Sequence, residues 1–353
     1  MNPFFATILT AALVGAAFAA DTSAESQQNL PAALSRDHNH GYLSLFFDND
    51  TFGGTDENYT NGVRLSWISP SLPVDRLSGF YRNLDWLLHR MDWQGGTPWL
   101  YQYGISLTQL MFTPADNSIS ELIPDDRPYA GWLGLGFSLH AKTDSLLHSL
   151  ELSVGVVGPS SLAENSQDLI HDLRNIDKAQ GWDNQLEDEL TINLHYRRTK
   201  QLFEWSVLDD GFEMDGLYRW GFELGNAWIN VNGGAYMRAG WNLPSDFSDP
   251  KLSATAYTHQ LFTERRERLN PWSLFFTVGA EGKVVGRDIF LDGNTFEDSH
   301  SVDKRHFVAD LTAGVTVRYK QLRVSYAHSY RTEEFAEQEG GQYFGSVSMG
   351  FAF

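Results

Sequence analysis

The residues of this chain best suited to chemistry fall in two clusters far apart in sequence. The first is Asn49-Asp50 together with Tyr59-Thr60-Asn61-Gly62. A strand over 41–49 ends in the first pair and a strand over 60–69 leaves from the second. Between them lies Gly53-Gly54-Thr55-Asp56-Glu57-Asn58, rich in turn formers and acidic oxygens. The spacing predicts a hairpin that brings Asn49, Asp50 and Thr60 together at one end of a strand pair. Two readings stay open: Asx and Thr side chains capping their own turn, or one wall of a water-activating site. The second cluster is centred on His171, with Gln167 four residues earlier on the same helical face and Arg174 and Asn175 beside it. An imidazole titrates near neutral pH and can take a proton from water, although most lone histidines are simply packed or solvated. What favours function for His171 is its setting in an inserted helix, reached through Gly158-Pro159 and followed by Gly181-Trp182-Asp183-Asn184-Gln185.

The elements that must position these residues read as strands. From residue 41 to the C-terminus, segments of roughly 8 to 14 residues alternate apolar with small or polar side chains. In Trp99–Thr108, Tyr101, Tyr103, Ile105 and Leu107 interleave with Gln102, Gly104, Ser106 and Thr108. The same alternation recurs in 131–140, 149–157, 191–196, 220–228, 235–241, 273–285, 307–319 and 322–330, with polar faces expected toward a lumen and apolar faces toward lipid. The last segment, Tyr343–Phe353, alternates cleanly and ends on Phe353, as the assembly signal of bacterial outer-membrane barrels does. Twelve or thirteen strands can be drawn, Phe203–Leu208 being the doubtful one; an even number favours twelve and a lumen filled by side chains. The expected fold is therefore all-β, a transmembrane antiparallel barrel of twelve strands with short helical inserts.

Composition agrees. Residues 1–20 carry no charged side chain, and the apolar run Phe4–Phe18 leads into Ala17-Phe18-Ala19, a secretory signal with cleavage expected near Ala19. A polar leader over 20–40 follows, then the barrel over 41–353. The chain has no cysteine, which excludes a disulfide framework and a cysteine nucleophile. Its 31 glycines and 14% aromatic residues suit a barrel with interfacial aromatic girdles. A formal charge of −19 argues against nucleic acid as a partner and suits divalent cations. Two stretches break the strand pattern with helical spacing, near 74–91 and 160–178; in the second, Ser161 and Glu164 are spaced as a capping box. Asp126-Arg127-Pro128-Tyr129 is either a charge pair at the entry to the fourth strand or a place where Arg127 meets a phosphate. The charge runs Glu264–Arg268 and Arg331–Glu339 read as solvated loops.

The ordered set Asn49-Asp50, Tyr59-Thr60-Asn61-Gly62, Asp126–Gly131, Gly158-Pro159, His171 and Gly181–Gln185 resembles the lipid A 3′-O-deacylase family of Gram-negative outer membranes, over about residues 41–353. The resemblance implies an outer-membrane esterase of the outer leaflet that hydrolyses the 3′ ester of lipid A with calcium, releasing an acyloxyacyl group. It makes His171 the catalytic histidine, Asn49 and Asp50 the Asn-Asp pair, and Thr60 the active-site hydroxyl. Asp50, Gln167 and Asp177 are the implied metal positions. One departure is that the stretch 113–120 has no lysine where better-known members carry one in the loop after the third strand, which leaves Arg127 as the candidate phosphate contact. With no cysteine and no Gly-x-Ser-x-Gly elbow, water is the more economical nucleophile. The expected partners are lipid A or lipopolysaccharide and, through the Phe353 strand, the barrel-assembly machinery, with the chain a monomer. The alternatives are an outer-membrane phospholipase and a non-catalytic barrel, a channel or scaffold.

Overall fold

A computed structural model describes residues 41–50, 58–72, 100–143, 145–206, 211–248 and 271–353. The signal and leader expected over 1–40, the helix expected near 74–91 and the run Glu264–Arg268 lie outside the described residues. Period-two alternation becomes twelve antiparallel strands: β1 (Tyr42–Asn49), β2 (Asn58–Ile68), β3 (Leu100–Thr113), β4 (Ala130–Lys142), β5 (Leu146–Val157), β6 (Glu189–Ser206), β7 (Phe212–Gly225), β8 (Trp228–Trp241), β9 (Trp272–Asp288), β10 (Phe307–Tyr319), β11 (Leu322–Arg331) and β12 (Gln342–Ala352). Each pairs with its sequence neighbours, and β1 also pairs with β12, so the sheet closes. Leu45 faces Leu65 on one side and Met349 on the other. Closure leaves no edge of unpaired backbone groups, which a hydrocarbon environment requires.

The described part of the doubtful segment, Phe203–Ser206, is no thirteenth strand. Residues up to Ser206 continue β6 beyond a register irregularity between Gln201 and Phe203, and the even count follows. The segments expected over 220–228 and 235–241 belong to longer strands that turn at Asn226-Ala227. Asn193 Oδ1 accepts from the backbone N–H of Ala227 and Trp228, pinning a turn that the uninterrupted alternation hides.

Side-chain parity divides the wall as expected. On β1, Leu43 and Leu45 face outward and are exposed, whereas Ser44 and Phe46 face the buried interior. The interior is filled with charged pairs. The Arg64 guanidinium meets both Glu151 oxygens at 2.9 and 2.7 Å, and Arg238 bridges Asp215 and Asp246 at 2.5 Å each. Such buried charges are tolerable because each is paired, and removing one partner would leave the other stranded. A lumen cavity of about 40 Å³ bounded by Arg197, Glu281, Lys283 and Glu334 has room for a water or two.

The loop after β11 turns Glu334 and Phe335 inward at one rim, which corrects in part the expectation of a solvated charge run there; Glu337 and Glu339 are exposed. Arg331, Glu334 and Phe335 are buried. Glu334 accepts from Arg127 at 3.2 Å and from Lys283 and Arg331 at 3.4 Å each. Burial alone would push the Glu334 carboxyl up; Arg331, Lys283 and Arg127 outweigh it and hold it at about 2. A depressed carboxylate contributes stability that is present above its unfolded value and lost as pH falls through the folded one, on the order of 3 kcal/mol here. The rim loops are therefore expected to resist protease at pH 5 and to open progressively between about pH 4 and 2, more shallowly in Glu334→Gln. Cleavage rates across that range check this.

Candidate functional site

Asn49, the last residue of β1, pairs with Asn61 on β2; Asn61 pairs with Met111 on β3, and Met111 with Gly131 on β4. This row runs around one rim, and by parity it faces outward, where lipid would be expected. Many outward residues are exposed, with Leu190 at 64% and Phe276 at 57%. Here Asn61, Gln109 and Met111 are 6%, 5% and 3% exposed. Polar residues can stand on the outer face only because something covers them.

The cover is the insert between β5 and β6. Gly158, at φ 100, donates its N–H to the Gly131 carbonyl at 3.0 Å, and a tight turn over Pro159–Ser161 follows. Leu162 then takes the left-handed conformation (φ 58, ψ 23) and begins helix α1 (Ala163–Arg174). The expected capping box does not form. Ser161 is drawn into the turn against the wall, and Leu162 holds the cap position without a side-chain hydrogen bond. Gly131 is what permits the approach: a Cβ there would stand 2.1 Å from Ser161 Oγ and 2.2 Å from Ala163 Cβ. Gln109 Nε2 donates to the Ser161 carbonyl at 2.8 Å, and Ser160 donates its N–H and hydroxyl to Asp188 at 2.7 and 2.6 Å. The insert is thus tied to the outer wall at its root.

Helix α1 packs on β3 and β4 with Ala163, Gln167 and His171, spaced four apart, on its buried face. Asn175 ends the helix in the left-handed region that asparagine tolerates, and the chain doubles back so that the Asp177 carbonyl lies 2.5 Å from His171 Nδ1. A carbonyl only accepts, so Nδ1 carries the hydrogen and the neutral ring keeps its basic lone pair on Nε2. Trp182 Nε1 donates to Gln167 Oε1 at 2.7 Å. The indole packs with Met111, Tyr129 and Ala163, its centroid 5.2 Å from that of Tyr129.

The other sequence-derived candidates fall as follows. Asp50 is fully buried, directly after β1, on the same rim. Thr60 is the backbone position skipped where the β2–β3 register shifts between Tyr59 and Asn61; its side chain lies outside the described residues. Asp177 reaches the site through its backbone oxygen, while its side chain is exposed. Arg127 is turned to the lumen. It is 1% exposed, over the Phe112 and Phe335 rings at 5.1 and 5.8 Å and paired with Glu334, so the expected phosphate contact is not available in this arrangement. The alternative charge pair with Asp126 is not formed either; the Asp126 carboxylate accepts from the N–H groups of Ala115 and Arg127. Among the described residues no three His, Asp or Glu side chains gather as a metal site. The Gln167 carbonyl is engaged by an indole and the Asp177 carboxylate is in solvent, so of the three implied metal positions Asp50 is the one with a buried carboxylate. Sequence reading passed over Asn61, Gln109 and Trp182 as site residues. The legible signal for the first two was a polar residue at an outward strand position.

A closed twelve-stranded barrel with an apolar outer wall and a charged, filled lumen is the architecture of an outer-membrane protein. The family model described as Outer membrane protein LpxR matches residues 4–353, and the chain belongs to that family, the lipid A deacylases that its motifs resemble. It resides in the outer membrane. Among solved structures, LpxR from Salmonella typhimurium is similar, with a TM-score of 0.69 at 18% identity, over 88% of this chain and 100% of that one. The beta domain of the Bordetella autotransporter BrkA follows at a TM-score of 0.42 and 8% identity, over 90% of this chain and 98% of that one. No curated protein matches the chain in sequence.

The Gly131 contact makes a direct prediction. Gly131→Val should leave the barrel folded but weaken docking of the insert by about 1–3 kcal/mol, the usual cost of overpacking a tight contact. Heat-modifiable migration on gels reports the barrel, and faster proteolysis within 159–188 reports the insert.

Proposed function

We propose that this protein hydrolyses the ester that carries the 3′-acyloxyacyl chain of lipid A, with His171 as the general base that activates water. The observation that carries the reading is the His171 ring: 5% exposed, tied through Nδ1 to the Asp177 carbonyl, and pressed against the outer wall of the barrel, the side from which an outer-leaflet lipid arrives. A site on that face admits a substrate whose chains never leave the membrane. Strand spacing of about 4.8 Å sets Asn49 roughly 10 Å from β3, a strand on which α1 packs.

Water approaches the ester carbonyl carbon while Nε2 takes its proton, giving a tetrahedral oxyanion and an imidazolium. Collapse breaks the bond to the sugar 3′ oxygen, and the imidazolium returns the proton to that oxygen. The products are a 3′-hydroxyl and the acyloxyacyl acid. Asn49 and Thr60 are assigned to substrate or oxyanion contacts. Asp50 is the buried carboxylate assigned to a divalent cation. Lipid A in the outer leaflet is the proposed partner of a monomeric barrel, and the Phe353 strand the part offered to the assembly machinery. The filled lumen speaks against a channel.

Mass spectrometry of lipid A from cells making the wild type should show loss of the 3′ chain, and His171→Ala should slow it by about 10²–10⁴, the usual worth of a general base. A fully active His171→Ala barrel would remove the assignment. The calcium requirement carried by the resemblance stands as a proposal of its own. EDTA is expected to stop turnover of the purified protein and added calcium to restore it; undiminished release in EDTA would separate this member from that requirement.

A further inference from the structure

Gln167 was expected to offer its carbonyl oxygen to a metal. Its surroundings point the other way. An indole N–H can only donate, so the Trp182 contact at 2.7 Å decides which end of the Gln167 amide faces it: Oε1. The opposite end, Nε2, is a pure donor. It is buried, and no acceptor reaches it among the described residues. A buried donor without a protein partner calls for an acceptor from elsewhere, a water, an ion or a bound molecule. Nε2 stands on the same buried face of α1 as His171, one turn earlier. Trp182, which sets the flip, is itself fixed. Its ring packs in the Met111–Tyr129–Ala163 cluster, and its carbonyl accepts from Gln185 N–H at 3.1 Å in a tight turn.

We propose that Gln167 is a hydrogen-bond donor to the acyl-ester carbonyl oxygen, holding the charge that develops there as His171 activates water, and that Trp182 is the positioning residue that locks the amide in its donating orientation. This rests on the ester-hydrolysis reading and adds the group that meets the oxyanion. The substrate class it selects is an ester or another carbonyl acceptor brought to the outer wall. The role costs no rearrangement at the moment of reaction, because the amide is already turned.

Gln167→Glu separates the two roles. A glutamate keeps the size and the oxygen that accepts from Trp182, and would bind a hard cation better than an amide, but it cannot donate once ionised. Kinetics on lipid A in detergent, at a series of calcium concentrations, are expected to show kcat of Gln167→Glu and of the near-isosteric Gln167→Met reduced by about 10²–10³, the usual loss of one oxyanion donor, with KM little changed. The calcium concentration for half-maximal rate should stay that of the wild type. Trp182→Phe keeps Gln167 but frees its flip, and is expected to lose about tenfold in kcat at unchanged KM. Heat-modifiable migration reports folding of each variant. Wild-type kcat in Gln167→Glu, or a lowered calcium requirement with kcat kept, overturns the donor role in favour of metal ligation. If the Gln167 variants do not fold, the Trp182→Phe arm decides, and an unchanged kcat there overturns the proposal. A wild-type barrel that releases no acyl chain removes the hydrolytic reading, and the donor role with it; an active wild type beside an active Gln167→Glu removes the donor role alone.

Discussion

The site hangs on one close approach. The insert reaches the wall at Gly131, where the absence of a side chain lets Ser161 and Ala163 come within contact of the strand backbone. That contact sets the starting point of α1, and a helix whose first residue is fixed has every later residue placed by its 3.6-residue turn. Gln167 and His171 are buried because Ala163 is; the Gly158 N–H, the Gln109 amide and the Asp188 carboxylate hold the same root from three directions. The outer wall beneath can then carry Asn61 and Gln109 where lipid-facing positions normally carry leucine or valine.

The two faces of the wall do separate work. Inside, arginines and lysines are matched to carboxylates, with Arg64 on Glu151 and Arg238 between Asp215 and Asp246, and the closed sheet tolerates this charge because it is paired. Arg127 and Glu334 extend that pairing to the rim. Outside, the polar groups beneath the insert, Asn61 and Gln109, are uncharged. A barrel that used its lumen for chemistry would need the space that these ion pairs fill.

The motifs read as one set in sequence divide between the two faces. Tyr129 packs on Trp182, and Gly131 receives the insert, so half of Asp126–Gly131 serves the outer site. Arg127, two residues before Tyr129, turns to the lumen. Nothing in the order of residues distinguishes them; the difference is which side of the wall each backbone position presents at the entry to β4. The Arg331–Glu339 run misled for a related reason. Charge in sequence says only that a residue needs water or a partner, and the partners here are brought from β9 and from the loop before β4.

By itself the sequence determined the barrel, its even strand count, the sign of each face and the insert that bears His171, because strand alternation and helical spacing are local patterns written in neighbouring residues. It also carried the pairing of the β1 end with the start of β2, Asn49 with Asn61, since a hairpin joins residues close in the chain. Only the tertiary structure decided that the helix lies against the outer wall, that Trp182 turns the Gln167 amide, that Asp177 acts through its carbonyl and that Arg127 belongs to the lumen. Each depends on closing the sheet and folding a 31-residue connection, 158–188, back onto strands far away in sequence. Contacts of that kind follow from which surfaces meet in space, and residue order carries no record of them.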